Sequence, residues 1–179
     1  MRKALLINGP PASGKTTIAE KIVPILNYPF FSLDTIKEVL FKYFGTGNRE
    51  YNRFLGSVSF EIIQRIIANY PPNACVIIEA WFGSSIFNSV EKQLRSVGID
   101  KFAEIWCYAP GSVLADRYVK RVDSRHKGHP GESYAQELIG VARNAEPLGI
   151  GPVLEIDTSV EQKMFVPKDV SGWVRKALE

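Results

Sequence analysis

Cysteine and histidine are scarce in this chain of 179 residues, with two of each. Cys75 and Cys107 cannot make a disulfide framework, and each lies inside a short apolar run, where a free thiol behaves as a small hydrophobe. His126 and His129 have no third metal ligand at a usable spacing, so they read as surface-loop residues. Excess charge is also lacking. Lys plus Arg number 22 against 19 Asp plus Glu, a balance of +3, which speaks against holding nucleic acid by neutralising phosphates over a broad face. No apolar run approaches the length of a membrane span, and Ala4–Ile7 behind Arg2 and Lys3 is too short for a signal peptide. Internal repeats and low-complexity linkers are missing too. The expectation is a soluble, cytoplasmic protein with residues 1–179 as a single domain, and nothing fixes its oligomeric state.

Short apolar runs alternate with segments of helical period. The runs are Ala4–Ile7, Pro29–Leu33, Cys75–Ile78, Ala103–Tyr108 and Pro152–Ile156. The first and third show almost no polar alternation, as central parallel strands covered on both faces do. Helices are expected over Lys15–Leu26, with Pro24 kinking or ending the first, and over Phe54–Ile67, where Val58, Ile62, Ile63, Ile66 and Ile67 recur at helical spacing. Two more are expected over Ser112–Val122 and Asp169–Leu178. Strand and helix in alternation predict an α/β sandwich on a parallel sheet with right-handed crossovers. Phe44–Tyr51 reads as a loop or helix cap. His126–Gly131, with two glycines and a proline, is the strongest breaker and reads as a mobile flap.

The most specific signal is Gly9-Pro10-Pro11-Ala12-Ser13-Gly14-Lys15-Thr16, a full G-x-x-x-x-G-K-[ST]. A loop with glycine at both ends can curl so that backbone N–H groups converge on phosphate oxygens, and the next helix adds its positive end. Lys15 then reaches the β- and γ-phosphates, and the Thr16 hydroxyl is placed to ligate Mg²⁺, with Thr17 following in the same turn. The loop directly follows an apolar run and opens an amphipathic helix, the setting the chemistry needs. A nucleoside triphosphate, taken as ATP, and Mg²⁺ are the expected ligands.

Three further segments carry chemistry. Asp34 follows the second apolar run, where its carboxylate could accept a hydroxyl proton and orient that oxygen for in-line attack, or could simply cap the helix that begins there. Lys37, one turn on, could pair with Asp34 or hold an anionic substrate. Glu79 ends the third run and is a candidate for Mg²⁺ through a water, or for substrate contact. Trp81 and Phe82 behind it could line the acceptor pocket. Arg117, Arg121 and Arg125 recur every fourth residue along one helix face and lead into the Gly-Pro breaker. A row of planar phosphate-clamping groups at that place reads as a lid, about residues 121–133, or as a solvated basic face stabilised by Asp116 and Asp123.

Together these motifs resemble the small P-loop kinases, within them the group of chloramphenicol phosphotransferase, the zeta toxins and the kinase domain of polynucleotide kinase. The resemblance implies a five-stranded parallel sheet in the order 2-3-1-4-5 with helices on both faces, and an Arg-rich lid. It implies that Asp34 is the general base, that Arg117 stacks on adenine and that Arg121 and Arg125 contact phosphates. It also sets the loop at Asp157 beside the adenine ring. Lys37 stands where the family often has Arg, which weakens a 5′-phosphorylated or polynucleotide acceptor. The expected activity is transfer of the γ-phosphoryl group of ATP to a hydroxyl of a small molecule, antibiotic-, nucleoside- or sugar-like. Phe41, Tyr43, Phe44, Tyr51 and Phe54 would suit a flat acceptor. The rival is a P-loop ATPase or nucleotide switch with no acceptor, and a nucleic-acid end kinase is disfavoured by the mild charge.

Overall fold

The apolar runs do become strands. The structure, a computed structural model, describes residues 1–83, 89–160 and 168–179. Strands β1 (Arg2–Asn8), β2 (Phe30–Ser32), β3 (Cys75–Glu79), β4 (Ile99–Tyr108) and β5 (Val153–Asp157) form one sheet in the order β2-β3-β1-β4-β5. Every pairing is parallel. The described helices are α1 (Lys15–Leu26), α2 (Leu33–Phe44), α3 (Arg49–Ala68), α4 (Val90–Ser96), α5 (Gly111–Arg121), α6 (Tyr134–Asn144) and α7 (Lys168–Leu178). The order and the three-layer arrangement are those the resemblance implied.

Two-residue alternation in the central strands feeds two cores. Ala4 and Leu6 of β1 with Val76 and Ile78 of β3 pack toward α3 and α4, among Phe60, Ile63, Ile67 and Leu94. Leu5, Ile7 and Ile77 point the other way, toward Ile18 and Ile22 of α1 and Val174 of α7. Each such side chain, fully buried, contributes roughly 1.5–3 kcal/mol. A third cluster, Leu114, Tyr118, Ala135 and Leu138, joins α5 to α6 beyond the sheet edge.

Three local expectations need correction. Pro24 does not end α1, which continues to Leu26 and closes at Asn27 in the left-handed conformation. Pro24 lies on the exposed side of the last turn, where the missing N–H costs least. In α3 the buried face is Leu55, Gly56, Ser59, Phe60, Ile63 and Ile67: Ile63 and Ile67 of the expected stripe are buried, while Val58 and Ile62 are half-buried and Ile66 is 40% exposed. Asp34 does not cap α2: Ser32 holds the cap position and Asp34 sits one residue inside the first turn.

Candidate active site

Parallel strands put their carboxyl ends on one edge, and there the loops after β1, β2 and β3 enclose a cavity of about 460 Å³. Its floor is the Gly9–Thr16 loop. Gly9 (φ 150°) has no room for a side chain, since a Cβ would lie 2.1 Å from the Cys107 carbonyl oxygen. Gly14 (φ 82°) is the residue before α1 and gives it no side-chain cap. The first N–H groups of α1 are therefore left facing the cavity, with the helix's positive end behind them. Ala12 also holds a positive φ of 64°, a conformation that costs a non-glycine residue energy and recurs at ligand clamps. Ser13 N–H donates to the Pro10 carbonyl (3.2 Å), and Lys15 Nζ reaches back to the same oxygen (2.9 Å). The loop is already curled.

Two features of this loop call for an anion. Burial lowers the pKa of Lys15, and the nearby Glu79 and Asp34 only partly offset it. The Ser13 hydroxyl is buried without a partner among the described residues. Polyphosphate supplies what such an ammonium lacks. Beside them Thr16 Oγ1 donates to Glu79 Oε1 (3.2 Å), while Ser32 Oγ donates to Glu79 Oε2 (2.8 Å). A hydroxyl against a carboxylate at a phosphate loop fits Mg²⁺, which takes one or two protein oxygens and completes its shell with phosphate and water. Among the described residues no three His, Cys, Asp or Glu side chains converge as a metal cage.

Asp34 faces this floor from the start of α2. Half of its side-chain surface is open, and it opens into the cavity. It pairs with Lys37 Nζ (3.3 Å) and Arg125 (3.4 Å). Burial would raise its pKa, but Lys37, His129, Arg125 and Lys15 together hold the carboxyl below the ordinary range. It therefore stays ionised at neutral pH, able to accept a hydrogen bond from a hydroxyl.

The remaining residues singled out above divide cleanly. Pro11, Ala12, Gly14, Lys15, Thr16 and Thr17 line the cavity, as do Lys37, Glu79, Trp81, Arg121 and Arg125. Gly9, Pro10 and Ser13 form the interior of the loop instead. Arg117 lies outside the cavity and grips the β5 loop, donating to Thr158 Oγ1 (3.1 Å) and to the Thr158 carbonyl (2.6 Å). Asp157 accepts from the Ser159 N–H (2.9 Å), which closes a turn there. Of the aromatics proposed for a flat acceptor, none lines the cavity. Phe41 is buried, and Tyr43, Phe44 and Phe54 are 73%, 69% and 59% exposed. Their chain positions are near the site, but the helix turns them away.

The lid differs from the expected free flap. A 3-10 turn over Val122–Ser124 follows α5, and residues 125–133 then cross to α6. His129 is not a surface residue: it is buried, and Nε2 lies 2.8 Å from Glu38 Oε1 of α2. His126 stacks on Phe41, and the Asn52 amide of α3 donates to the Gly128 carbonyl. Tyr118 Oη donates to the Pro130 carbonyl (2.6 Å). This segment has packing anchors on α2, α3 and α5, contrary to what its glycines and proline suggest.

Sequence reasoning also missed a buried brace under the loop. Asn8 Oδ1 accepts from Gly9 and Phe82 N–H, and its Nδ2 donates to Glu104 Oε1 (2.8 Å). Glu104, wholly buried in β4, accepts from the Leu148 and Gly149 N–H groups as well. The signal was visible: a carboxylate in the middle of an apolar strand must be satisfied by something. Arg49, Asn52 and Arg53 of α3 were missed as cavity residues too.

Comparison with known proteins agrees with this geometry. Residues 5–77, from β1 to β3, match the ATPase family associated with various cellular activities (AAA). The chain is 27% identical over 170 residues to human (Homo sapiens) adenylate kinase 8, covering 93% of this chain and 32% of that protein. It thus spans about a third of that curated relative. Among solved structures, a candidate kinase of Chloroflexus aurantiacus j-10-fl superposes with a TM-score of 0.84 at 28% identity, over 99% of both chains. A gluconokinase of Sinorhizobium meliloti 1021 has a TM-score of 0.64 at 20% identity, over 98% of this chain and 93% of its own. By loop and sheet order the chain has the fold of the P-loop NTPases, and kinases are among its structural neighbours.

Proposed function

We propose that the chain is an ATP- and Mg²⁺-dependent phosphotransferase that moves the γ-phosphoryl group to a hydroxyl of a small molecule. The observation that carries this is Asp34, an ionised carboxylate on the cavity wall facing the phosphate loop, flanked by Lys37 and by Arg125 of the lid. A hydrolytic switch needs a group that orients water and has no use for an acceptor base. The match to the ATPase family favours that rival, yet it ends at residue 77 and so covers the shared nucleotide core without the lid.

The reaction follows from the side chains. ATP lies with its β- and γ-phosphates over the N–H groups of the loop and Lys15. Thr16, with Glu79 acting through a water, would hold Mg²⁺, which when bound neutralises phosphate charge and orients the γ-group. Asp34 accepts the hydrogen bond of the acceptor hydroxyl and aims its oxygen in line. The bond from that oxygen to the γ-phosphorus forms as the bond to the β–γ bridging oxygen breaks, the proton passes to Asp34, and ADP leaves. The low pKa of Asp34 suits a loose transition state, in which orientation matters more than early proton removal. Arg121 and Arg125 neutralise charge on the transferring group from the lid, residues 121–133. Arg117 and the Asp157 loop, tied together through Thr158, border the adenine side.

On this reading residues 1–179 act as one kinase domain, akin to the chloramphenicol phosphotransferase, zeta toxin and polynucleotide kinase group. Asp34 after β2 and the Arg row before the lid support that grouping. A cytoplasmic setting suits an ATP-using chain with free Cys75 and Cys107. No described helix is long and apolar enough to cross a membrane. Transfer of label from γ-labelled ATP across a panel of hydroxyl-bearing metabolites, nucleosides and antibiotics tests the reading. Acceptor-dependent product is expected, and steady ATP hydrolysis with no acceptor ever labelled would favour the switch.

A further inference from the structure

The cavity walls carry six basic side chains against three carboxylates. Lys15, Arg121 and Arg125 belong to the nucleotide side and the lid. Lys37, Arg49 and Arg53 do not: they stand on α2 and α3, across the cavity from the loop. Arg49, Asn52, Arg53 and Gly56 fall at i, i+3, i+4 and i+7, a single helix face. The same stripe continues into Phe60, Ile63 and Ile67, which are buried in the core. Arg49 and Arg53 are exposed to solvent, yet they stand on the side of α3 that borders the cavity, so their guanidinium groups are open to whatever enters it.

Their partners narrow the case further. Lys37 is paired with Asp34, and its Nζ also lies 3.5 Å from Asn52 Oδ1. Arg49 is paired with Glu137 of α6 (2.7 Å) and lies over the Tyr134 ring. Arg53 lines the cavity with no ion pair or side-chain hydrogen bond among the described residues. Counting the acceptor wall with Asp34 and Glu137, three cations face two carboxylates, which leaves one positive charge unmatched.

We propose that the acceptor is an anion as well as an alcohol, and that Arg53 grips its carboxylate or phosphate while Asp34 receives its hydroxyl. Carboxylate and phosphate share the planar pair of oxygens that a guanidinium fork meets with two hydrogen bonds. Arg49 and Lys37, on either side, supply field rather than the direct grip. The proposal rests on the kinase reading and adds the substrate class. It displaces a flat aromatic acceptor, for which the cavity supplies fewer apolar walls than the sequence suggested.

The test uses matched sets on one carbon skeleton: glycerate, glycerol phosphate and glycerol; gluconate, glucose 6-phosphate and glucose; ribonate, ribose 5-phosphate and ribose. Each is offered with labelled ATP to the wild-type protein, to Arg53→Gln and to Arg53→Lys. Transfer to at least one anionic member is expected, at least tenfold more efficient than to its neutral match. In Arg53→Gln the acceptor KM should rise about ten- to a hundredfold, the worth of a charge-assisted pair, with kcat and the KM for ATP nearly unchanged. Arg53→Lys should recover part of the loss, more for phosphate than for carboxylate, and that difference separates the two sources. Equal or better transfer to the neutral members, or an Arg53→Gln acceptor KM within twofold of wild type, overturns the proposal while leaving the kinase standing. Where none of the nine is labelled, an efficient neutral acceptor from the wider panel of metabolites, nucleosides and antibiotics overturns the proposal and leaves the kinase standing, and labelled product from no compound of either panel overturns both.

Discussion

Replacing Asp34 by Asn separates the chemistry from the fold more sharply than any other single change. Because Ser32 and not Asp34 is the cap of α2, the substitution removes no capping bond. It removes a favourable charge in the first turn, worth about 0.3–1 kcal/mol, and weakens two ion pairs that are open to the cavity, each worth up to roughly 1 kcal/mol. The summed loss of stability stays at about 3 kcal/mol or below. The expected loss in transfer is about a thousandfold, from the 10²–10⁴-fold that such a group supplies. That corresponds to about 4 kcal/mol in the barrier, so partial unfolding of a stable domain cannot imitate it. Rapid-quench measurement of transfer at saturating acceptor gives the rate, and calorimetry gives the ATP affinity, which should hold within a few fold. Thermal unfolding of the same samples checks the stability figure. If transfer survived within about tenfold, Asp34 would be a structural charge and Glu79 the next carboxylate to consider.

Three other outcomes follow from particular contacts. Lys15→Ala should abolish the rise in thermal stability that ATP gives, yet leave the ligand-free protein as stable as wild type or more so, because it removes an ammonium that burial disfavours; an undiminished ATP-induced shift would reject the phosphate-loop assignment. Burial lowers the pKa of His129 below its ordinary 6.5, so the docked lid binds fewer protons than the free one. Docking is then fully present above pH 6.5 and is lost as the pH falls through the lowered value; a ring titration by NMR with its midpoint at or above 6.5, or lid amides that do not follow it, would refute this. Glu104→Ala should cost about 2–5 kcal/mol in chemical denaturation, since it strands the Asn8 amide and the Leu148 and Gly149 N–H groups in the interior; a cost under about 1 kcal/mol would show that the brace is dispensable.

The fold was legible where each segment carries its own geometry. Apolar runs without alternation can only be covered strands, and a full phosphate-loop signature states both its turn and the helix after it. The nucleotide side was legible for the same reason, as most of its residues lie in the single stretch from Gly9 to Thr17. The lid was misread because Gly and Pro report local conformation and say nothing of what a segment docks against. His126 and His129 looked idle until Phe41 and Glu38, about ninety residues earlier, came beside them.

The acceptor wall was hidden for a further reason, which α3 makes plain. Its apolar positions Val58, Ile62 and Ile66 sit beside Ile63 and Ile67 in one run, so periodicity drew a stripe that mixes outward and inward positions. The inner stripe reads Arg49, Arg53, Gly56, Phe60, Ile63 and Ile67, cationic for two turns and then apolar. A helix that only covers a sheet keeps one character along its inner face. This one outruns the sheet edge, and the turns beyond that edge look into the cavity instead of the core. The change from arginine to aromatic along one stripe is therefore where packing stops and recognition begins, and it becomes visible only once the sheet beneath α3 has been placed.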